Sequence, residues 1–86
     1  MSEYTITVAR SARRELESLD AEVARRVLAK IEALARQPRP HGCKKIRGPS
    51  NLWRIRVGDY RIIYDINDGN RVVDIVIVRH RGDVYR

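Results

Sequence analysis

Between positions 52 and 64, apolar and polar residues alternate on both sides of a Gly-Asp pair. The run Leu52-Trp53-Arg54-Ile55-Arg56-Val57-Gly58-Asp59-Tyr60-Arg61-Ile62-Ile63-Tyr64 predicts two short strands joined by a two-residue turn. Glycine comes first in that turn, as a type II′ turn requires. A turn this short fixes the pairing: Val57 opposite Tyr60, Arg56 opposite Arg61, Ile55 opposite Ile62 and Arg54 opposite Ile63. Side chains alternate with period two. Trp53, Ile55, Val57, Tyr60, Ile62 and Tyr64 therefore share a core face, and Arg54, Arg56 and Arg61 share the other.

The pattern before and after this hairpin completes one domain. Residues 4–8 alternate as a half-buried first strand, with Tyr4, Ile6 and Val8 on one face. Ser11 is placed to cap a short helix over 12–18, whose Ala12, Leu16 and Leu19 follow i, i+4, i+7 spacing. Asp20 can cap a second helix over 21–36, with an apolar stripe of Val23, Ala24, Val27, Leu28, Ile31, Leu34 and Ala35. Arg25, Arg26, Lys30 and Glu32 form its solvated face. Pro38 and Pro40 end it. Residues 41–51 make a basic connection, long for a compact domain and so inclined towards function. Asn67-Asp68-Gly69-Asn70 is a second turn, rich in residues that accept positive φ. The last strand, 71–78, is apolar in both parities and is expected in the sheet centre, buried on both sides, with Asp74 needing a basic partner there. A basic tail, 79–86, follows. The order is β-α-α-β-β-β: a single α+β domain over 1–86, with a helical hairpin on one face of a three-stranded antiparallel meander. The first strand must pair into that sheet, and its helical crossover permits a parallel neighbour.

Charge sharpens this picture. The 86 residues carry 18 Lys+Arg against 11 Asp+Glu, a net charge of +7. That balance favours a polyanionic partner: nucleic acid, an anionic membrane surface or an acidic protein. No acid lies between Glu32 and Asp59, a window holding Arg36, Arg39, Lys44, Lys45, Arg47, Arg54 and Arg56. On the hairpin, Arg56 opposite Arg61 with Arg54 beside them is a poor choice for stability, because like charges across a ladder repel. Either the face is solvated, its stems covering apolar surface, or an anion such as phosphate sits there. Cys43 is the only cysteine, so no intrachain disulfide forms, and the composition fits a reducing compartment. No apolar leader or membrane span is visible, and the expected location is the cytoplasm.

The chemical inventory is narrow. His41, His80 and Cys43 are the only soft or borderline metal ligands, and no HxxxH, CxxC or close carboxylate pair occurs, so no metal or other cofactor is expected. No glycine-rich phosphate loop is present. Arginines with a few titratable neighbours suit one reaction class. RNA can be cut without metal when its own 2′-OH attacks the adjacent phosphorus; arginines then stabilise the crowded phosphate, and a His or Tyr moves the protons. DNA lacks that hydroxyl. His80 and Tyr85 are the candidates for proton transfer. The plain alternatives are a surface histidine in a basic tail and a terminal aromatic packed on its neighbours.

With Lys45-Ile46-Arg47-Gly48 before it and Arg79-His80-Arg81-Gly82-Asp83-Val84-Tyr85 after it, the hairpin resembles the RelE/ParE toxin superfamily over essentially the whole chain. The Gly-Asp-Tyr-Arg core is specific for the superfamily, and the ending from Arg79 to Tyr85 points to its RelE branch. The resemblance implies a RelE-like fold and a type II toxin that enters the ribosomal A site of the 70S ribosome and cuts mRNA there. It also implies an acidic RelB-like antitoxin that wraps and neutralises the toxin. By position, Arg54 and Arg56 match two basic strand residues around the substrate phosphate. Arg61 matches the arginine on the scissile phosphate. Arg79 or Arg81 matches a tail arginine that assists the leaving group. Tyr85 matches the tyrosine that orients or deprotonates the 2′-OH, and Lys44, Lys45 and Arg47 would hold ribosomal RNA. Familiar members have lysines where Arg54 and Arg56 stand. Arginine does not deprotonate, so Tyr85 or His80 must be the base. Two other functions fit the same resemblance: a ParE-like DNA gyrase poison without hydrolysis, and a non-catalytic ribosome- or RNA-binding module.

Overall fold

A computed structural model describes residues 3–80; Arg81 and Tyr85 lie outside the described residues. The elements are β1 (Thr5–Val8), α1 (Arg10–Glu17), α2 (Ala21–Ala33), β2 (Lys44–Lys45), β3 (Leu52–Val57), β4 (Tyr60–Asn67) and β5 (Val72–His80). They build a five-stranded sheet in the order β1-β5-β4-β3-β2. β1 runs parallel to β5 and every other neighbour is antiparallel. The α+β order read from the sequence holds, with the helices as the crossover.

The hairpin register is as the turn dictates: Val57 pairs with Tyr60, Arg56 with Arg61, Ile55 with Ile62 and Arg54 with Ile63. Gly58 has φ +58° while Asp59 keeps a negative φ, the sign pattern of a type II′ turn. A Cβ at Gly58 would meet only the flexible guanidinium end of Arg26, at 3.2 Å, so the positive φ rather than lack of space is what favours glycine there. Ile55, Val57, Ile62, Tyr64 and Ile66 are buried on one face of the hairpin. Against them pack Ala12, Val27, Ile31 and Leu34. Each fully buried aliphatic side chain contributes about 2 kcal/mol of burial free energy. Leu28, at 43% exposure, is the one member of the α2 stripe that faces out.

Several local expectations change. α1 starts at Arg10 with Ala9 in the cap position and no side-chain cap. The hydroxyl of Ser11 instead donates to the carbonyl of Val76 across a long 3.4 Å. Asp20 is the N-cap of α2, but its carboxylate makes no capping bond; the backbone N–H of Ala24 bonds its carbonyl instead. α2 ends at Ala33, and turns continue to Arg36. In the basic connection, Lys44 and Lys45 form a short edge strand on β3, paired with Arg54 and Trp53. In the β4–β5 turn the positive φ falls on Arg71, at 55°, not on Gly69 or Asn70.

β5 is an interior strand, between β1 and the middle strand β4, and is not buried on both sides. Ile63 pairs with Ile77 whereas Tyr64 pairs with Ile75, so Val76 is an extra residue, a β-bulge. Val73 and Ile75 face the helices before it; Val78 does so after it. Both parities are apolar because the inward face changes parity at Val76. Asp74, half-buried, takes a hydrogen bond from the Thr7 hydroxyl at 2.7 Å in place of the basic partner expected.

A polar clamp closes the end of the sheet away from the Gly58 turn. Asp68 accepts from the Tyr4 hydroxyl at 2.6 Å and from both terminal nitrogens of Arg39, at 3.3 and 2.8 Å. The Arg39 guanidinium lies 5.0 Å from the Trp53 ring centroid. Arg39 first, then Tyr4, hold the Asp68 carboxyl below its usual range. A depressed carboxylate favours the fold above the unfolded pKa, near 3.9, and that gain disappears as pH falls through the folded pKa. Arg39→Ala should move the Asp68 titration midpoint upward, which carboxyl NMR would follow directly. An unmoved midpoint would assign the shift to Tyr4.

Candidate functional site

The face of the sheet away from the helices is ordered in rows. Arg56, Arg61 and Arg79 pair successively across β3, β4 and β5, so three guanidinium stems emerge side by side. Neighbouring strands are about 4.8 Å apart, so the row is about 10 Å wide. The next row is Lys44, Arg54, Ile63 and Ile77, running from β2 to β5. Beyond it lie Leu52, Asp65, Asp74 and Thr7. On β4 and β5 the face therefore runs from cationic near Gly58, through apolar, to acidic. Arg61, Ile63, Ile77 and Arg79 together line a cavity of about 150 Å³.

Arg79 joins this face only through the bulge at Val76. An unbroken ladder from Tyr64–Ile75 would set Val78 opposite Arg61 and turn Arg79 towards the helices. The same shift carries His80 the other way. His80 pairs with Tyr60, and the two rings meet edge-on, 5.2 Å apart at 82°. They line a cavity with Val23, Arg26, Val57, Gly58 and Asp59 on the helix side. His80 is thus on the opposite side of the sheet from Arg61 and Arg79.

A second basic surface runs along the outer edge of β3. β2 covers that edge only at Trp53 and Arg54, leaving the stretch from Ile55 to Val57 beside α2. One cavity, of about 360 Å³, is bounded by Lys30, Pro40, His41, Gly42, Lys44, Arg54, Ile55 and Arg56. Another, of about 440 Å³, is bounded by Arg26, Ala29, Lys30, Arg56, Val57 and Gly58. Lys30 and Arg56 are common to both. Arg26 and Lys30, four residues apart, read in sequence as a solvated helix face; the topology sets them beside Arg56. Lys44 and Lys45 are exposed on the edge strand, and Arg47 is exposed just beyond it. Among the described residues no three His, Cys, Asp or Glu side chains gather as a metal site, and no helix is long and apolar enough to cross a membrane.

A helical hairpin on one face of a mixed sheet, with arginines in register on the other, defines a small basic-faced α+β domain. The chain belongs to the RelE/ParE toxin superfamily: the family described as ParE toxin of type II toxin-antitoxin system, parDE, matches residues 6–85. Toxin RelG of Mycobacterium tuberculosis (strain ATCC 25618 / H37Rv) is 33% identical over 84 residues, covering 96% of this chain and 97% of that protein. The archaeal RelE–RelB complex from Pyrococcus horikoshii OT3 superposes with a TM-score of 0.83 at 30% identity, covering 93% of this chain and 97% of that one. The toxin–antitoxin complex RelBE2 from M. tuberculosis gives 0.80 at 31%, covering 92% and 99%. The protein is a toxin of a type II toxin-antitoxin system.

Proposed function

We propose that this toxin is a metal-independent endoribonuclease that cuts mRNA in the ribosomal A site and so stops translation. The observation that carries this reading is the cross-strand row Arg56–Arg61–Arg79. Three guanidiniums in adjacent register repel one another in the free protein and become favourable together only around an anion. A phosphodiester that gains negative charge as the 2′-OH attacks is such an anion, and preorganised donors aimed at it lower the barrier. The guanidiniums cannot accept the proton. His80 stands on the far side of the sheet, so the reading gives proton removal from the 2′-OH to Tyr85. Arg81 becomes a phosphate or leaving-group contact secondary to Arg79. Arg54 flanks the phosphate row, and Lys44, Lys45 and Arg47 extend the positive surface towards ribosomal RNA.

The partner that silences the toxin is an acidic RelB-like antitoxin laid over the arginine face. The superposed P. horikoshii and M. tuberculosis structures are toxin–antitoxin complexes, which supports that role. A second reading, poisoning of DNA gyrase through protein contacts, takes its support from the ParE description of the matching family. Induction in growing cells separates the two. Primer extension on a translated mRNA should show new 5′ ends within codons soon after induction. Intact mRNA with broken or supercoiling-deficient DNA would replace the ribonuclease reading with the gyrase one.

A further inference from the structure

The row beyond the arginines poses a question that phosphate binding does not answer. Asp65 and Asp74 are directly opposed on β4 and β5, both half-buried on the open face. Opposed like charges destabilise a sheet, and a carboxylate pair repels an RNA backbone. Asp65 is four residues along β4 from Arg61, about 13 Å away, and Asp74 lies beside it on β5. Between the two rows lie Ile63 and Ile77, which floor the cavity that Arg61 and Arg79 bound. The order along the strands is therefore cation, apolar ledge, carboxylate. A nucleotide has the same sequence of parts, from phosphate through the flat base to the base's hydrogen-bonding edge, and is of similar length.

We infer that Asp65 and Asp74 read the base of a bound nucleotide whose phosphate lies on Arg61 and Arg79 and whose ring rests on Ile63 and Ile77. This rests on the RNA reading above and adds specificity to it. Ionised carboxylates only accept hydrogen bonds. Guanine, cytosine and adenine each offer an exocyclic amino group to such an acceptor. Uracil offers one ring N–H flanked by two carbonyl oxygens, which a carboxylate repels. The subsite thus selects amino-bearing bases and disfavours uracil. Asp74 is oriented for this by the Thr7 hydroxyl, which holds one of its oxygens at 2.7 Å and leaves the other to accept.

The test uses 2′-O-methyl trinucleotides, which resist cleavage, identical except for the central base. Their affinities for the full chain are measured by fluorescence anisotropy. The wild type should bind the guanine, cytosine and adenine probes about tenfold more tightly than the uracil probe. In the double variant Asp65→Asn, Asp74→Asn that ratio should fall below about twofold, since an amide also donates to uracil carbonyls. Its melting temperature should rise as the carboxylate repulsion is removed, showing that the fold is intact. Equal binding of all bases by the wild type, or a preference that survives in the double variant, overturns the inference. Absence of binding by the wild type, or affinity unmoved by Arg61→Ala, overturns the RNA reading on which it rests.

Discussion

Arg61→Ala should slow single-turnover RNA cleavage by at least ~10²-fold while leaving the melting temperature unchanged or higher, because the removed donor acts on transition-state charge. Arg61 is the middle member of its row, paired with Arg56 on one side and Arg79 on the other. Its removal relieves two repulsive neighbours in the free protein. Against that gain stands the loss of its half-buried stem, which packs beside Ile63 and Ile77. The balance in stability is small, whereas the loss of a central phosphate contact is not. Thermal melts and cleavage assays on the same preparation measure both. A variant that loses fold and activity together would make Arg61 a structural residue.

Tyr64→Ala should lower the free energy of unfolding by about 3–5 kcal/mol. Tyr64 is fully buried, and its hydroxyl donates to the Pro38 carbonyl at 2.8 Å. Truncating a buried large aromatic costs about 3–5 kcal/mol, against a total stability of roughly 5–15 kcal/mol for a domain. Tyr64→Phe isolates the hydrogen bond and should cost about 1–2 kcal/mol, because a buried carbonyl loses its donor. Denaturant titrations give both numbers. Burial, and then the neighbouring Cys43, push the Tyr64 phenol above its ordinary value. A raised phenol contributes stability below the unfolded pKa, near 10, and loses it as the pH climbs beyond. The alkaline fall in stability should be shallower in Tyr64→Phe; an identical alkaline limb would assign it to other groups.

The Tyr64–Pro38 bond also explains part of what could be read in advance. The hairpin was legible to the residue because a two-residue turn admits a single register. The helical stripe was legible because Val27, Ile31 and Leu34 recur at helical spacing. The edge strand at Lys44 and Lys45 was not, since two lysines have no strand pattern of their own. They pair because Tyr64 anchors Pro38 and Arg39 lies on Trp53, bringing the connection alongside β3. Ser11 read as a helix cap, yet its partner is a carbonyl sixty-five residues away. Arg26 and Lys30 read as surface charge, because only the sheet order reveals an uncovered edge beside them. The arginines of the hairpin were found by their unfavourable opposition, and Asp65 opposite Asp74 carried the same signal. That second opposition was visible only once β5 had a register.

The extra residue at Val76 acts like a shift of reading frame between chain and sheet. Upstream of it, even positions of β5 face outward; downstream, odd positions do. Removing Val76 itself would close the bulge and leave Arg79 opposite Arg61 and His80 opposite Tyr60, whereas keeping it in an unbulged ladder would exchange the sides on which Arg79 and His80 emerge. A substitution in β5 alters one side chain, but a one-residue insertion or deletion that no bulge absorbs reassigns everything that follows it. Comparing relatives in this region therefore requires matching strand length before residue identity: an arginine in the same column, one bulge out of step, belongs to the other side of the molecule.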